Sequence, residues 1–452
     1  MVIAAPASGN GKTTVATGLM AALRDRGLEV SGHKVGPDYI DPSYHALATG
    51  RPGRNLDPYL QAEERVVPLF LHGATGADIA VVEGVMGLFD GALGTAGFAS
   101  TAHVARLIDA PVVLVVDASA AGRSVAAMVH GFASYDPGVR LAGVILNKLG
   151  SERHETELRA ALGSLGVPVL GALRRTDGIH SPSRHLGLVP VGEREREATA
   201  MLARLRAWIS AGVDLDAVLR VARDAAPLAG VPWDPAEALV RPPGADGTVI
   251  AAAAGQAFTF RYTENVELLR AAGVEVTDID PLVDQRLPDD CAGLYFGGGF
   301  PEVHAEALSA NEPLCRAIVA ATKRDLPVVA ECAGLTYLCR TLDGLPMTGV
   351  LDATAVMTAR RTLGYRTARA ASVNVLTHQG ETVTGHEFHR TKVTPVRGAE
   401  AAWRWGSTEE GFAGPNLHAS YLHVHWAGHP ELAGRFAAAA RARAPRLVGE
   451  YA

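Results

Sequence analysis

Lysine is the scarcest charged residue in the chain, with five copies against 37 arginines in 452 residues. So few ammonium groups make each one informative, and three of them, Lys12, Lys34 and Lys148, lie beside the motifs considered below. Cysteine is scarce as well. Cys291, Cys315, Cys332 and Cys339 include no C-x-x-C pair, which excludes a disulfide framework and a zinc ribbon and favours a reducing cytosol. No run approaches the roughly 18 apolar residues of a membrane helix, and the opening Met1–Ala5 stretch meets Pro6 and Gly9 too soon for a signal segment. We therefore expect a cytoplasmic protein with no membrane partner. A basic excess is also lacking: 42 basic against 48 acidic residues, net −6, argues against nucleic acid as a partner, so local clusters must hold any anionic ligand. What is present, 48% apolar and 20% charged residues, suits globular units with ample core.

Short apolar runs alternate with helical stretches throughout the first half. Val2–Ala5, Ile79–Val82, Pro111–Asp117, Gly143–Asn147 and Val167–Leu170 read as buried strands, and Val15, Leu19, Ala22 and Leu23 recur at helical spacing until Gly27 closes the helix. The crossovers are long enough for helices, so the sheet should be mostly parallel. A proline- and glycine-dense stretch over 227–247 marks a boundary. Beyond it come strands at Thr248–Ala254, Val274–Thr277, Gly293–Phe296 and Pro327–Ala330 and a helix near Glu264–Ala272, so the second unit is also α/β. The expected organisation is 1–236, a linker over 237–246, and 247–452.

Ser8-Gly9-Asn10-Gly11-Lys12-Thr13-Thr14 follows a strand and opens a helix, the setting of a phosphate-binding loop. Gly9 and Gly11 let backbone N–H groups turn toward phosphates, Lys12 reaches the β/γ oxygens, Thr13 can ligate Mg²⁺, and Thr14 continues the first helical turn. One departure is visible: Pro6 replaces the usual first glycine, so the loop should be a variant form. Glu83, ending a buried strand, and Asp38 or Asp41 are candidate metal ligands, with Lys34 a second phosphate contact. Asn147 and Lys148 close a later strand at the same sheet edge, where bases and riboses bind in doubly wound folds.

Farther on, Val328-Val329-Ala330-Glu331-Cys332-Ala333-Gly334 runs from strand to helix through a turn that resembles a nucleophile elbow. Such a turn exposes the sulfur, aims the next N–H at a developing oxyanion and lowers the thiol pKa through the helix terminus. The other three cysteines read as inert buried residues. Gly297-Gly298-Gly299 follows another strand end and can supply oxyanion donors. Ala419 to Trp426 alternates like a strand, placing His423 and His425 on one face, and one of them can be the base.

Together these features resemble the cobyrinic and hydrogenobyrinic acid a,c-diamide synthases over nearly the whole chain. The matching stretches are Lys34 to Pro42, Asn55-Leu56-Asp57, Glu83 to Gly91, Gly297 to Glu302, Cys332 to Gly334, Gly385-His386-Glu387-Phe388-His389 and Ser420 to His425. The resemblance implies a dethiobiotin-synthetase-like P-loop domain with a mostly parallel sheet, followed by a class I, triad-type glutamine amidotransferase α/β domain. It implies that Cys332 attacks glutamine with His423 as base, and that ATP and Mg²⁺ activate two carboxylates of a corrinoid polycarboxylate for attack by ammonia. His425 stands where most triad enzymes carry a glutamate, and is given no catalytic role. Arg51 and Arg54 are expected to line the corrinoid cleft. The oligomer is not fixed by these motifs, a homodimer being the assembly to test. Two alternatives stay open: a cobyric acid synthase that amidates other side chains, and a nucleotide-switched binding protein with a relic amidotransferase domain.

Overall fold

The computed structural model describes residues 1–176, 183–184, 187–239 and 247–444. The chain divides into two compact units, Met1–Trp233 and Asp234–Ala452. Trp233 closes the first: its N–H donates to the Pro68 carbonyl at 2.9 Å, and its ring stands edge-on to His72. Of the expected linker, residues 240–246 lie outside the described residues.

The first unit is built on seven parallel strands, β1 (Val2–Ala4), β2 (Val30–Val35), β3 (Arg54–Leu56), β4 (Ile79–Glu83), β5 (Val112–Asp117), β6 (Leu141–Leu149) and β7 (Val169–Arg174). Their spatial order is β3-β2-β4-β1-β5-β6-β7. Strands covered on both faces can be apolar throughout, which is why the Val-Val-Leu-Val-Val run of β5 is buried at each position. Ile3, Val113, Val115 and Ile145 pack with Leu19, Met20 and Leu23 of helix α1 (Lys12–Asp25). Each such buried side chain contributes about 1.5–3 kcal/mol. Helix α1 ends at Gly27, whose φ of 82° is the left-handed closure expected of that glycine.

Strand β2 was not expected from its letters, Val-Ser-Gly-His-Lys-Val, yet all six residues are buried. Its polar groups find partners within the strand and beyond it: Ser31 Oγ lies 3.2 Å from His33 Nε2, and Lys34 reaches carboxylates on other elements. Strand β7 is also shifted C-terminally from the expected Val167–Leu170.

The second unit has a six-stranded sheet in the order Glu275–Ile279, Val249–Ala253, Cys291–Phe296, Val328–Glu331, Leu417–Ser420, Phe412–Gly414. Only its last pair is antiparallel. A long antiparallel hairpin, Thr354–Ala370 with Thr382–Thr394, forms a further sheet that the short strand His423–Val424 joins. Among the described residues no helix is long and apolar enough to cross a membrane.

Candidate active site

In the first unit the phosphate loop leaves β1 and turns through residues 5–11 into α1. Gly9 and Gly11 have φ of 83° and 95°, a region costly for an L side chain, and a Cβ on Gly11 would fall 2.3 Å from Asn147 Nδ2. Helix α1 has no side-chain cap, so its leading N–H groups look into the loop, as an anion site requires. Lys12 Nζ donates to the Met86 carbonyl at 2.5 Å and to that of Ala7 at 3.4 Å. Burial, followed by the nearby Lys34 ammonium, pushes its pKa down to about 8.

Thr13, Lys34, Asp41 and Glu83 converge. Thr13 Oγ1 donates to Glu83 Oε1 at 2.5 Å and lies 3.3 Å from Asp41 Oδ2. Lys34 Nζ stands 2.8 Å from Asp41 Oδ2, 2.9 Å from Glu83 Oε1 and 3.0 Å from the Gly84 carbonyl. His45, one turn after Asp41 on helix α2 (Asp41–Thr49), brings Nε2 to 2.7 Å from Glu83 Oε2. Burial alone would raise the Glu83 carboxyl, but Lys34, His45 and Thr13 together hold it below the usual carboxylate range. Burial, then Asp38 and Glu83, raises Asp41. Burial opposes the charge on Lys34, yet Asp41 and Glu83 keep it above the ordinary lysine value. Asp38 acts on its own turn, where Oδ1 accepts from the N–H groups of Ile40 and Asp41 and so shapes the backbone that delivers Asp41.

The donor set of one hydroxyl and two carboxylates, all oxygen, fits a hard divalent cation such as Mg²⁺. No cluster of three His, Cys, Asp or Glu side chains suited to a metal occurs among the described residues. Thr14 lies in the first turn of α1. Asn147 braces the loop, donating from Nδ2 to the Asn10 carbonyl at 2.9 Å and accepting from Lys148 N–H at 2.8 Å. Lys148 in turn bonds the Gly9 carbonyl and Asp117. The expectation for Arg51 and Arg54 needs correction. Arg51 Nη2 caps the Gly73 and Thr75 carbonyls at 3.2 and 2.6 Å, and Arg54 is buried in β3 beside Gly73, so both serve the fold.

In the second unit the strand Val328–Glu331 ends at Cys332, whose φ of 50° is strained for a residue with a Cβ. The strain is held by Cys332 N–H donating to the Ser420 carbonyl at 2.8 Å and Gly334 N–H to the Gly297 carbonyl at 3.0 Å. The N–H groups of Ala333 and Gly299 both bond toward the sulfur. A Cβ on Gly299 would meet the Ala257 carbonyl oxygen at 2.1 Å, and one on Gly298 would meet His423 Cε1 at 2.4 Å. Consecutive glycines therefore bring one backbone donor to the thiol and leave room for the imidazole.

Two expectations fail here. The thiol pKa is raised, not lowered, because burial and then the Glu302 carboxylate outweigh a following helix of only six residues, Ala333–Leu338. His423 and His425 do not share a strand face either. The strand stops at Val424; His423 lies against Gly298, whereas the His425 ring packs on Tyr262 with Nε2 3.4 Å from Glu264. Burial, with His386 and His389 nearby, lowers the His423 pKa to about 3. Cys315, expected to be buried, is half-exposed, with Sγ 3.6 Å from Tyr337 Oη. Three supporting residues escaped the sequence reading: His45 behind Glu83, Glu302 facing the thiol, and Glu410, which accepts from Ser420 Oγ at 2.5 Å. His45 left a signal in its helical spacing of four from Asp41, and Glu302 in closing the stretch that begins at Gly297.

Residues 1–189 match the family described as the CobQ/CobB/MinD/ParA nucleotide binding domain, and residues 249–431 that described as the CobB/CobQ-like glutamine amidotransferase domain. A hydrogenobyrinate a,c-diamide synthase from Streptomyces coelicolor is 57% identical, covering 96% of this chain and 96% of its own. One from Thermobifida fusca is 56% identical over 98% and 97%. A cobyrinate a,c-diamide synthase from Synechococcus is 42% identical over 96% and 97%. With a nucleotide-binding unit and a glutamine amidotransferase unit in the same order, and relatives aligned nearly end to end, the chain belongs to the hydrogenobyrinate and cobyrinate a,c-diamide synthase family.

Proposed function

We propose that the chain uses ATP and glutamine to amidate, in two turns, the a and c carboxylates of hydrogenobyrinic acid, a step of cobalamin biosynthesis. The observation that carries this reading is the presence in one chain of two assembled centres, Thr13 and Lys34 against Asp41 and Glu83, and Cys332 between two backbone donors. The metal-free acid is favoured over the cobalt form because relatives at 50–57% identity are named for hydrogenobyrinate and those at 39–44% for cobyrinate.

In the amidotransferase unit the Cys332 sulfur attacks the side-chain amide carbon of glutamine. Its proton passes to His423 and then to the departing nitrogen, while the Ala333 and Gly299 N–H groups stabilise the oxyanion. Ammonia leaves as the thioester forms, and water then hydrolyses the thioester to glutamate and the free thiol. In the nucleotide unit a corrinoid carboxylate oxygen attacks the γ-phosphorus of ATP and ADP leaves. Ammonia then attacks the acyl phosphate carbon and inorganic phosphate departs. Lys12 and the α1 N-terminus neutralise phosphate charge, and Lys34 supplies a second cation. Thr13, Asp41 and Glu83 would hold Mg²⁺, whose chemistry is charge neutralisation across the β- and γ-phosphates. We assign Asp38 to shaping this site and Gly9, Gly11, Thr14 and Asn147 to forming the nucleotide loop. Four free thiols suit a reducing cytoplasm.

The test is to supply ATP, Mg²⁺ and glutamine with metal-free or cobalt-containing acid and to read products by mass. A mono-amide followed by a diamide, faster from the metal-free acid, is expected. Continued amidation to a tetra-amide would favour the cobyric acid synthase reading.

A further inference from the structure

The strand His423–Val424 is the last in the order of its sheet, so among the described residues one of its edges meets no further strand, yet both residues are buried. A buried strand edge must find other partners for its backbone N–H and C=O groups. Here side chains supply them. The Val424 N–H donates to Glu331 Oε1 at 3.4 Å, and the Val424 carbonyl accepts from Asn265 Nδ2 at 3.3 Å. Asn265 Oδ1 accepts in turn from the Trp426 N–H at 2.9 Å, so a single amide spans the three residues that follow the base. Asn265 is fully buried in the first turn of helix Thr263–Ala271, and Glu264, one residue earlier on that helix, lies 3.4 Å from His425 Nε2.

A hydroxyl closes the network: Tyr295 Oη accepts from Asn265 Nδ2 at 3.2 Å and donates to Glu331 Oε2 at 3.5 Å. Glu331 immediately precedes Cys332, so buried polar side chains tie the strand that carries the nucleophile to the strand that carries the base. A general base works only while its imidazole stays aimed at the thiol, and a third group usually holds it there. His425 does not take that part, because its ring turns to Tyr262 and Glu264. An imidazole has two side-chain torsions beyond its backbone. With Gly298 leaving a gap of one ring and both polar groups of the Val424 backbone held, the His423 side chain keeps little freedom.

We propose that Asn265 is a positioning residue for His423: its amide, braced by Tyr295, fixes the backbone after the base and so keeps the imidazole in line with Cys332. This deepens the proposed function and rests on Cys332 and His423 being the glutaminase pair. An amide suits the task because it offers a donor to the Val424 carbonyl and an acceptor to the Trp426 N–H from one side chain, where a carboxylate would lack the donor.

The experiment is a double-mutant cycle on the full chain. Asn265→Ala should lower kcat for glutamine hydrolysis about tenfold or more with KM within about twofold, since the base and not the substrate is displaced, while synthesis from ammonium salt is unchanged. The cycle itself uses the γ-(4-nitrophenyl) ester of glutamate, whose nitrophenolate leaves without a proton, so that His423→Ala still turns over. On this ester Asn265→Ala should cost about threefold or more when His423 is present and nothing measurable in the His423→Ala background, because a residue that acts through the imidazole has no effect once the imidazole is gone. Equal losses in both backgrounds, or no loss with His423 present, would overturn the proposal. Should thermal melts show that Asn265→Ala does not fold, Tyr295→Phe, which removes one hydroxyl, takes its place in the cycle, with a loss of about twofold to fivefold expected only where His423 remains. If Cys332→Ser still hydrolyses glutamine, the glutaminase assignment falls and takes the proposal with it, whereas a failed cycle beside an inert Cys332→Ser removes only the role of Asn265.

Discussion

Both units present their chemistry at a parallel strand that turns sharply into a helix, β1 into α1 and Val328–Glu331 into Ala333–Leu338, but the two turns treat buried charge in opposite ways. At the first, Lys34 is matched by Asp41 and Glu83, and Glu83 also accepts from His45 and Thr13, so burial is answered by partners and Lys34 and Glu83 stay ionised. At the second, burial is left unanswered: the Cys332 thiol is pushed up and the His423 imidazole falls to about 3, so thiol and base rest neutral. The nucleotide site is thus organised around charge before its ligand arrives. The glutaminase site is organised around shape, with two backbone donors and a glycine gap, and its charges develop only with a bound amide.

The largest effect that would break this contrast is expected from Cys332→Ser. Glutamine-dependent amidation should fall by about a thousandfold or more, while the rate with a high concentration of ammonium salt persists, as measured by diamide formation. Retained use of glutamine would remove the second turn from the chemistry. Lys12→Ala should cost about a hundred- to a thousandfold with either nitrogen donor, because charge on the transferring phosphoryl group loses its neutralising partner. Full ATP-dependent synthesis by that variant would mean the first turn holds no phosphate.

A smaller effect tests the neutral resting state directly. Since the Cys332 thiol lies above the ordinary cysteine range, its alkylation by iodoacetamide without glutamine should be about tenfold or more slower at pH 8 than that of a free thiol, and should keep rising beyond pH 9. A plateau near pH 7 would show a preformed thiolate and erase the contrast. The smallest effect concerns Glu331, which burial raises to about 8 from 4.5. Its folded form keeps a proton that the unfolded chain releases, so stability is lost as pH rises through the folded pKa. Between pH 6.5 and 8, above the range where the depressed histidines His418 and His423 contribute, wild type should lose up to about 1.4 kcal/mol per pH unit from this group. Thermal melts of Glu331→Gln should have a flatter slope over that interval; an identical slope would place the Glu331 pKa near its unfolded value.

How far the amino-acid letters foretold the structure depended on whether a feature is local. The phosphate loop was legible because Gly9, Gly11 and Lys12 act within a few residues of one another and an apolar strand precedes them. The elbow around Cys332 was legible for the same reason. Strand β2 was not, because Ser31, His33 and Lys34 look like surface residues until the carboxylates that Lys34 reaches on other elements, and the burial of the whole strand, are known. The basic letters of the long hairpin hid a strand pair for a similar reason, since an edge sheet half-open to solvent need not alternate cleanly.

Arg51 and Arg54 show the reverse case: charge suggested a ligand, but Arg51 directs Nη2 to two backbone carbonyls and Arg54 is buried in its strand. Local sequence determined which atoms could react, since an ammonium after a glycine turn, a thiol at a strand end and an imidazole near the C-terminus are properties of residue type and spacing. Only the tertiary structure decided their protonation. Desolvation and the placing of Glu302, Asp41, Glu83 and His45 depend on segments tens to hundreds of residues apart, and those long-range electrostatic effects set the direction of each shift.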